Sequence, residues 1–149
     1  MEAGSKTDGQ PVSWGTTAHD HELYMILADA AAQTEDANGL RQYGPLLEKL
    51  ARRDGHILYL AIAQRAAGVA HRLAGEHAQS RARLKAAVGL LENLGARWQL
   101  GRTWTELGLL ERAASKSRAA DEYFSKALAA FEALGASAEA DRIRGLASA

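Results

Sequence analysis

Apolar residues recur along most of the chain at the spacing of a helix, and no segment shows the strict alternation of a half-buried strand. In the first such stretch, Leu23, Leu27, Ala30 and Ala31 share one face. The pattern, with its turn residues, predicts seven helices and an all-α fold. The predicted ranges are 17–33, 37–53, 56–74, 76–94, 96–114, 118–134 and 137–145.

Glycines at the ends of these stretches reveal a repeat of forty residues. Gly55, Gly95 and Gly135 are equally spaced, and Leu-Gly-Ala at 94–96 recurs at 134–136. A fixed period of this size is typical of stacked helical repeats. We therefore expect a single repeat domain over 16–149, with units of about 16–55, 56–95 and 96–135 and a terminal helix over 137–147.

Two segments depart from this pattern. Residues 1–15 are rich in Gly, Ser, Thr, Asp and Pro, which predicts a flexible leader. Trp14 either folds back on the first helix or is only loosely placed. Gly44 and Pro45 fall inside the second helix, where the missing amide donor predicts a kink or a late helix start.

The last complete unit has large and small residues at fixed offsets: Trp104, Leu107, Gly108, Ala120, Phe124 and Ala127. In these residues the unit resembles a tetratricopeptide repeat, whose packing positions they match. Glu111 and Glu132 depart from the family pattern. The resemblance implies a tetratricopeptide-like right-handed α-solenoid of about three helix pairs plus a C-terminal helix. The long period is similar to that of repeat arrays in bacterial signalling proteins and transcription regulators.

The composition narrows the classes of partner. Eighteen basic and eighteen acidic residues balance to a net charge of zero, so nothing suggests a nucleic acid or an anionic membrane as partner. The absence of cysteine excludes disulfides and thiolate metal sites. No stretch of the sequence suggests a bilayer span or a signal peptide, and we expect a cytoplasmic protein.

Candidate catalytic and metal-binding residues are few. His19 and His21 flank Asp20, but residues two apart point away from each other on a helix. No phosphate-binding loop, nucleophile–base pair or isolated carboxylate pair stands out. We therefore expect no enzymatic activity, no cofactor and no metal site.

Arginines on the first helix of each unit are the main candidate binding residues. In the tetratricopeptide family the first helices line a concave groove, and the matching positions here alternate arginine with aliphatic residues: Arg65, Arg72, Arg102, Arg112, Ile62, Val69 and Leu109. The first unit contributes an acidic end with Glu22 and Asp29. A guanidinium suits a carboxylate, which favours an acidic partner. Alternatively, these arginines pair with acidic residues of the chain itself.

The function that these observations favour is a protein–protein interaction module. It would bind a peptide or a protein surface in the concave groove, as part of a bacterial regulatory or signalling system. One alternative is self-association into a homodimer through the terminal half-unit. A second alternative is a small-ligand sensor with a pocket in the groove.

Overall fold

The computed structural model describes residues 13–149, with side chains from residue 20 onward. These residues form seven α-helices and no strand, which confirms the predicted all-α class. The helices are α1 Ser13–Gln33, α2 Ala37–Asp54, α3 Ile57–Leu73, α4 His77–Leu94, α5 Arg97–Ala113, α6 Ser117–Ala133 and α7 Ser137–Ala147. None of the described helices has the length and apolarity that crossing a bilayer requires.

The connections between helices share one backbone conformation. Each is three residues or fewer and contains one residue with φ between 55° and 77°. These residues are Glu35, Gly55, Gly75, Gly95, Ser115 and Gly135. Glycine adopts this left-handed conformation without a Cβ clash and commonly ends helices. The left-handed turns therefore recur every twenty residues. Gly55, Gly95 and Gly135, which mark the forty-residue period, lie in every second turn.

Helix α2 begins where the sequence predicts. The Asp36 side chain accepts a hydrogen bond from the Gly39 backbone amide at 3.1 Å, which confirms Asp36 as its N-cap. The helix continues through Pro45, so the late start considered for this segment is wrong. The cap fixes the beginning of the helix eight residues before the proline.

Helix α1 begins earlier than predicted. It starts at Ser13, whereas the sequence pattern places the start near Thr17 and assigns 13–15 to the leader. Gly15 does not prevent this, because a single glycine disfavours a helix by only about 0.5–1 kcal/mol. Residues 1–12 of the predicted leader, and the side chain of Trp14, lie outside the described part of the structure.

Each helix packs against the next along the chain, and α3 also packs against both α1 and α5. Where α5 meets α6, a Cβ added at Gly108 would lie 2.5 Å from Cε1 of Phe124. Trp104 is half-buried against the cluster that contains Phe124, as the sequence predicts. The helices thus stack unit upon unit, while the tetratricopeptide-like form of the stack stays a prediction.

Candidate functional site

The face on which α1, α3 and α5 meet carries the predicted groove residues, and we call it the odd-helix face. Its aliphatic members are packed rather than open. Ile62 and Val69 are 3% and 0% exposed and belong to a core cluster with Ala28 and Leu47. Leu109 is half-buried against the cluster around Phe124. Ile62 and Val69 therefore contribute to the core between units.

Arg65 and Arg102 converge on one carboxylate, that of Asp29. Arg65 is 1% exposed, and its Nη2 donates to Asp29 Oδ1 at 3.0 Å. Arg102 binds the same carboxylate with both terminal nitrogens, at 2.9 and 3.3 Å. Arg102 lies 73 residues after Asp29, so this contact links the third unit to the first. Arg65 also donates to the hydroxyl of Thr103 at 3.3 Å.

Arg72 extends this arrangement along the odd-helix face. Its Nη2 donates to Glu35 at 2.9 Å and lies 3.4 Å from Oε1 of Glu106. Glu106 is 4% exposed, which is unusual for a carboxylate without a short ion pair. We call Asp29, Arg65, Arg72, Arg102 and Glu106 the charge network.

Two carboxylates of the charge network have opposite pKa shifts. Burial raises the pKa of Asp29, but the guanidinium groups of Arg65 and Arg102 outweigh it and hold that pKa below its ordinary value. Burial dominates at Glu106 and raises its pKa, against the weaker opposing effect of Arg72. Asp29 is thus held ionised, whereas Glu106 resists ionisation.

Arg112, the fourth predicted groove arginine, is engaged elsewhere. Its guanidinium lies over the ring of Phe124, 4.9 Å from the ring centroid. It also donates to the backbone carbonyl of Leu146 on α7. Arg112 therefore joins α5 to the terminal helix, apart from the charge network.

A further buried ion pair lies between α4 and α5. Arg81 donates two hydrogen bonds to Glu111, from Nε at 2.8 Å and from Nη2 at 2.7 Å. The hydrogen bonds from Arg81 lower the pKa of Glu111. The pair therefore fastens α4 to α5.

Histidines form no metal centre in the part of the chain whose side chains are described. His21 is 7% exposed, and its Nε2 lies 2.9 Å from Oδ2 of Asp54. Its ring also packs edge-on against His56 and Tyr59, with centroids 5.8 and 6.0 Å away. His21 is therefore a packed, polar contact between α1 and the start of α3.

A groove of about 350 Å³ lies between α6 and α7, at the end of the helix stack. Phe124, Leu128 and Ile143 form its apolar part, with Ser125 and Ala147 beside them. No residue of the described chain fills it. The sequence points to this surface only through the half-unit that α7 forms, so we name it the α6–α7 groove and treat it as a candidate site.

Comparisons with protein families, with curated proteins and with solved structures find no match for this chain. The features of this chain that indicate a function are therefore the geometry of the odd-helix face, the α6–α7 groove and the repeat itself.

Proposed function

We propose that this chain is a protein-interaction module that receives a helix of another polypeptide in the α6–α7 groove. The observation that carries the proposal is the internal repeat. Helix α6 packs against α5, and its Tyr123 reaches the cluster that includes Leu84 of α4. The equivalent surface one unit later is the α6–α7 groove. A surface that already accepts a helix within the chain is suited to accept one from outside.

The contacts of α6 indicate what such a helix would present. Phe124 of α6 reaches Gly108, and Tyr123 packs against the cluster of Leu84 and Leu107. The positions forty residues after Gly108 and Leu107 are Ser148 and Ala147, which line the α6–α7 groove. These residues are small, so the backbone of an incoming helix could approach closely and bury an aromatic side chain.

The odd-helix face is less favourable as a binding surface. Arg65 and Arg102 already bind Asp29, so an acidic ligand would have to displace that carboxylate. Displacement would leave a buried charge without its partner, which is costly. Ligand binding by these arginines stays a prediction, and the α6–α7 groove requires no such displacement.

The occupant in this proposal is a helix of a different protein, and a second copy of the chain is the alternative. The resemblance to long-repeat arrays of bacterial regulators supports a regulatory setting for the module.

Site-specific photo-crosslinking in the native cells tests the proposal. A photoreactive phenylalanine at Ser125 would lie in the α6–α7 groove, whereas one at Lys85 occupies the same register on α4, forty residues earlier. We expect a discrete adduct from position 125 that Leu128→Glu abolishes, and none from position 85. An adduct of twice the chain mass would identify self-association. Equal adducts from both positions, or none from 125, would contradict the proposal.

A further inference from the structure

A second groove, with a volume of about 490 Å³, lies between α5 and α6. Leu100 and Trp104 form its floor, Ala130 lies on its α6 side, and Arg97 and Lys126 lie at its edges. We infer that this Trp104 groove binds an acidic segment of a partner protein through an inserted side chain of leucine size. The inference is independent of the α6–α7 groove, because the two share no residue that the argument uses.

The preceding unit shows what a closed version of this surface looks like. There Gln64 occupies the register of Trp104 and accepts a hydrogen bond from Arg83 at 2.9 Å. Arg83 also donates to both carboxylate oxygens of Glu48, at 3.1 Å each. A polar bridge therefore runs from α2 across α3 to α4 and joins the two units.

In the next unit all three members of that bridge are replaced. Forty residues after Glu48, Gln64 and Arg83 stand Val88, Trp104 and Tyr123. The Trp104 side chain is half-buried and packs against the core clusters of both α4 and α6. Val88 and Tyr123 pack with Trp104 against the cluster of Leu84 and Leu107, so apolar contacts replace the polar bridge and the floor of the groove is apolar. Burying it would favour association by the hydrophobic effect.

The groove is also open because one large side chain is missing. Leu50 and Leu90 occupy equivalent positions on α2 and α4, and both are half-buried. The equivalent residue on α6 is Ala130. Leu90 packs against the cluster of Ala61, Leu91 and Leu100. The side chain of Ala130 is too short to make the equivalent contact one unit later. The groove therefore has room for a leucine-sized side chain beside Ala130, which a partner can supply.

The edges of the groove specify the charge of the partner. Arg97 and Lys126 are exposed, and neither forms an ion pair with any residue among 20–149. The ammonium group of Lys126 lies 5.7 Å from the centroid of the Trp104 ring. Two cations that have no acidic partner among residues 20–149, beside an apolar floor, attract carboxylates and repel basic segments. The complementary ligand is thus a segment in which acidic residues flank a large aliphatic one.

Selection of peptides from a random displayed library against the full chain tests this inference. The selected peptides are then titrated against a Trp14→Phe, Trp98→Phe background, in which Trp104 is the remaining tryptophan. Ala130→Leu fills the groove with the residue that the other units carry. Arg97→Glu with Lys126→Glu reverses its edges, and Lys49→Glu on α2 is the matched surface control.

We expect peptides enriched in acidic residues around a leucine or methionine, and a change in Trp104 emission on binding. Ala130→Leu and the edge reversal should each weaken binding by about tenfold or more, with Lys49→Glu unchanged. If Ala130→Leu alters the thermal melt, its loss of binding could be structural, and the binding affinity of the edge-reversal variant then tests the inference.

Three results would overturn the inference. The first is no enrichment, or enrichment of basic or uncharged peptides. The second is binding that Ala130→Leu and the edge reversal leave intact. The third is a concentration-dependent dimer in light scattering that Ala130→Leu converts to monomer, which would make a second copy the occupant of the Trp104 groove.

Discussion

At the scale of single residues, Asp29 holds the charge network together. It is the acceptor for two arginines on two different helices, and one of them, Arg65, is almost completely buried. A buried ion pair gives little net stability over an apolar replacement, but removal of one partner leaves an uncompensated charge in the interior. Asp29 therefore matters less for the attraction it provides than for the guanidinium groups that it neutralises.

Replacement of Asp29 by asparagine should lower the free energy of unfolding by about 3 kcal/mol at neutral pH. The folded-state pKa of Asp29 is depressed, so its contribution is present above the ordinary aspartate pKa and is lost as pH falls through the folded value. The difference between wild type and Asp29→Asn should thus be full near pH 7, begin to shrink near the ordinary aspartate pKa of about 4, and disappear only below the depressed folded pKa. Urea unfolding across this range measures it.

Asp141 provides the control for this experiment. It also pairs with an arginine, Arg144, but its side chain is 75% exposed. Exposed pairs contribute about 0–1 kcal/mol, so Asp141→Asn should change little at any pH. Equal effects of the two substitutions would show that Asp29 does not compensate a buried charge.

At the scale of the helices, much of the fold can be predicted from the sequence because turn residues are local signals. Gly55, Gly75, Gly95 and Gly135 each end a predicted helix, and all four have positive φ. Ser115 occupies the same position in its turn without being glycine, as does Glu35, so the twenty-residue spacing is complete only in the structure. Backbone conformation at such a position follows from the geometry of the helix pair, which overrides the preference of the residue.

The backbone at Ser115 should therefore be strained, and glycine at this position should relieve the strain. Its φ is 61°, a conformation that a residue with a Cβ adopts at a cost. Ser115→Gly should raise the free energy of unfolding by about 0.5–1 kcal/mol, because glycine adopts positive φ freely. The midpoint of thermal or urea unfolding measures the change.

Ala86 provides the matched control, since it is exposed and lies inside α4. Ala86→Gly should lower stability by about 0.5–1 kcal/mol, because glycine is unfavourable within a helix. If both substitutions lowered stability, the left-handed turn at Ser115 would not be the strained position that the repeat indicates.

At the scale of the whole molecule, the candidate sites were harder to predict than the helices. The family pattern places Arg65 and Arg102 on one face, and Asp29 of the first unit falls on the same face, at the position that Val69 and Leu109 occupy in the later units. Whether they meet depends on how closely the units stack, which no local signal reports. The Trp104 groove is a similar case, because it depends on the absence of a large side chain at position 130 and of a polar bridge.

The charge network should also couple helices that lie far apart in the chain. Arg102 of α5 binds Asp29 of α1, although most packing in this molecule is between neighbouring helices. Repeat proteins with only neighbour contacts open unit by unit, and a link that skips a unit opposes such local opening. A substitution in the third unit that removes this link should therefore loosen the first unit.

Arg102→Met retains an unbranched aliphatic stem and removes the guanidinium charge. We expect faster amide hydrogen exchange in α1 as well as around the substitution in α5, measured by mass spectrometry on the full chain. Arg81→Met is the control, because Arg81 pairs with Glu111 between the adjacent helices α4 and α5. Its effect should stay within those helices. Unchanged protection of α1 in Arg102→Met would mean that stacking alone transmits stability along the molecule, and that the charge network merely satisfies buried charges.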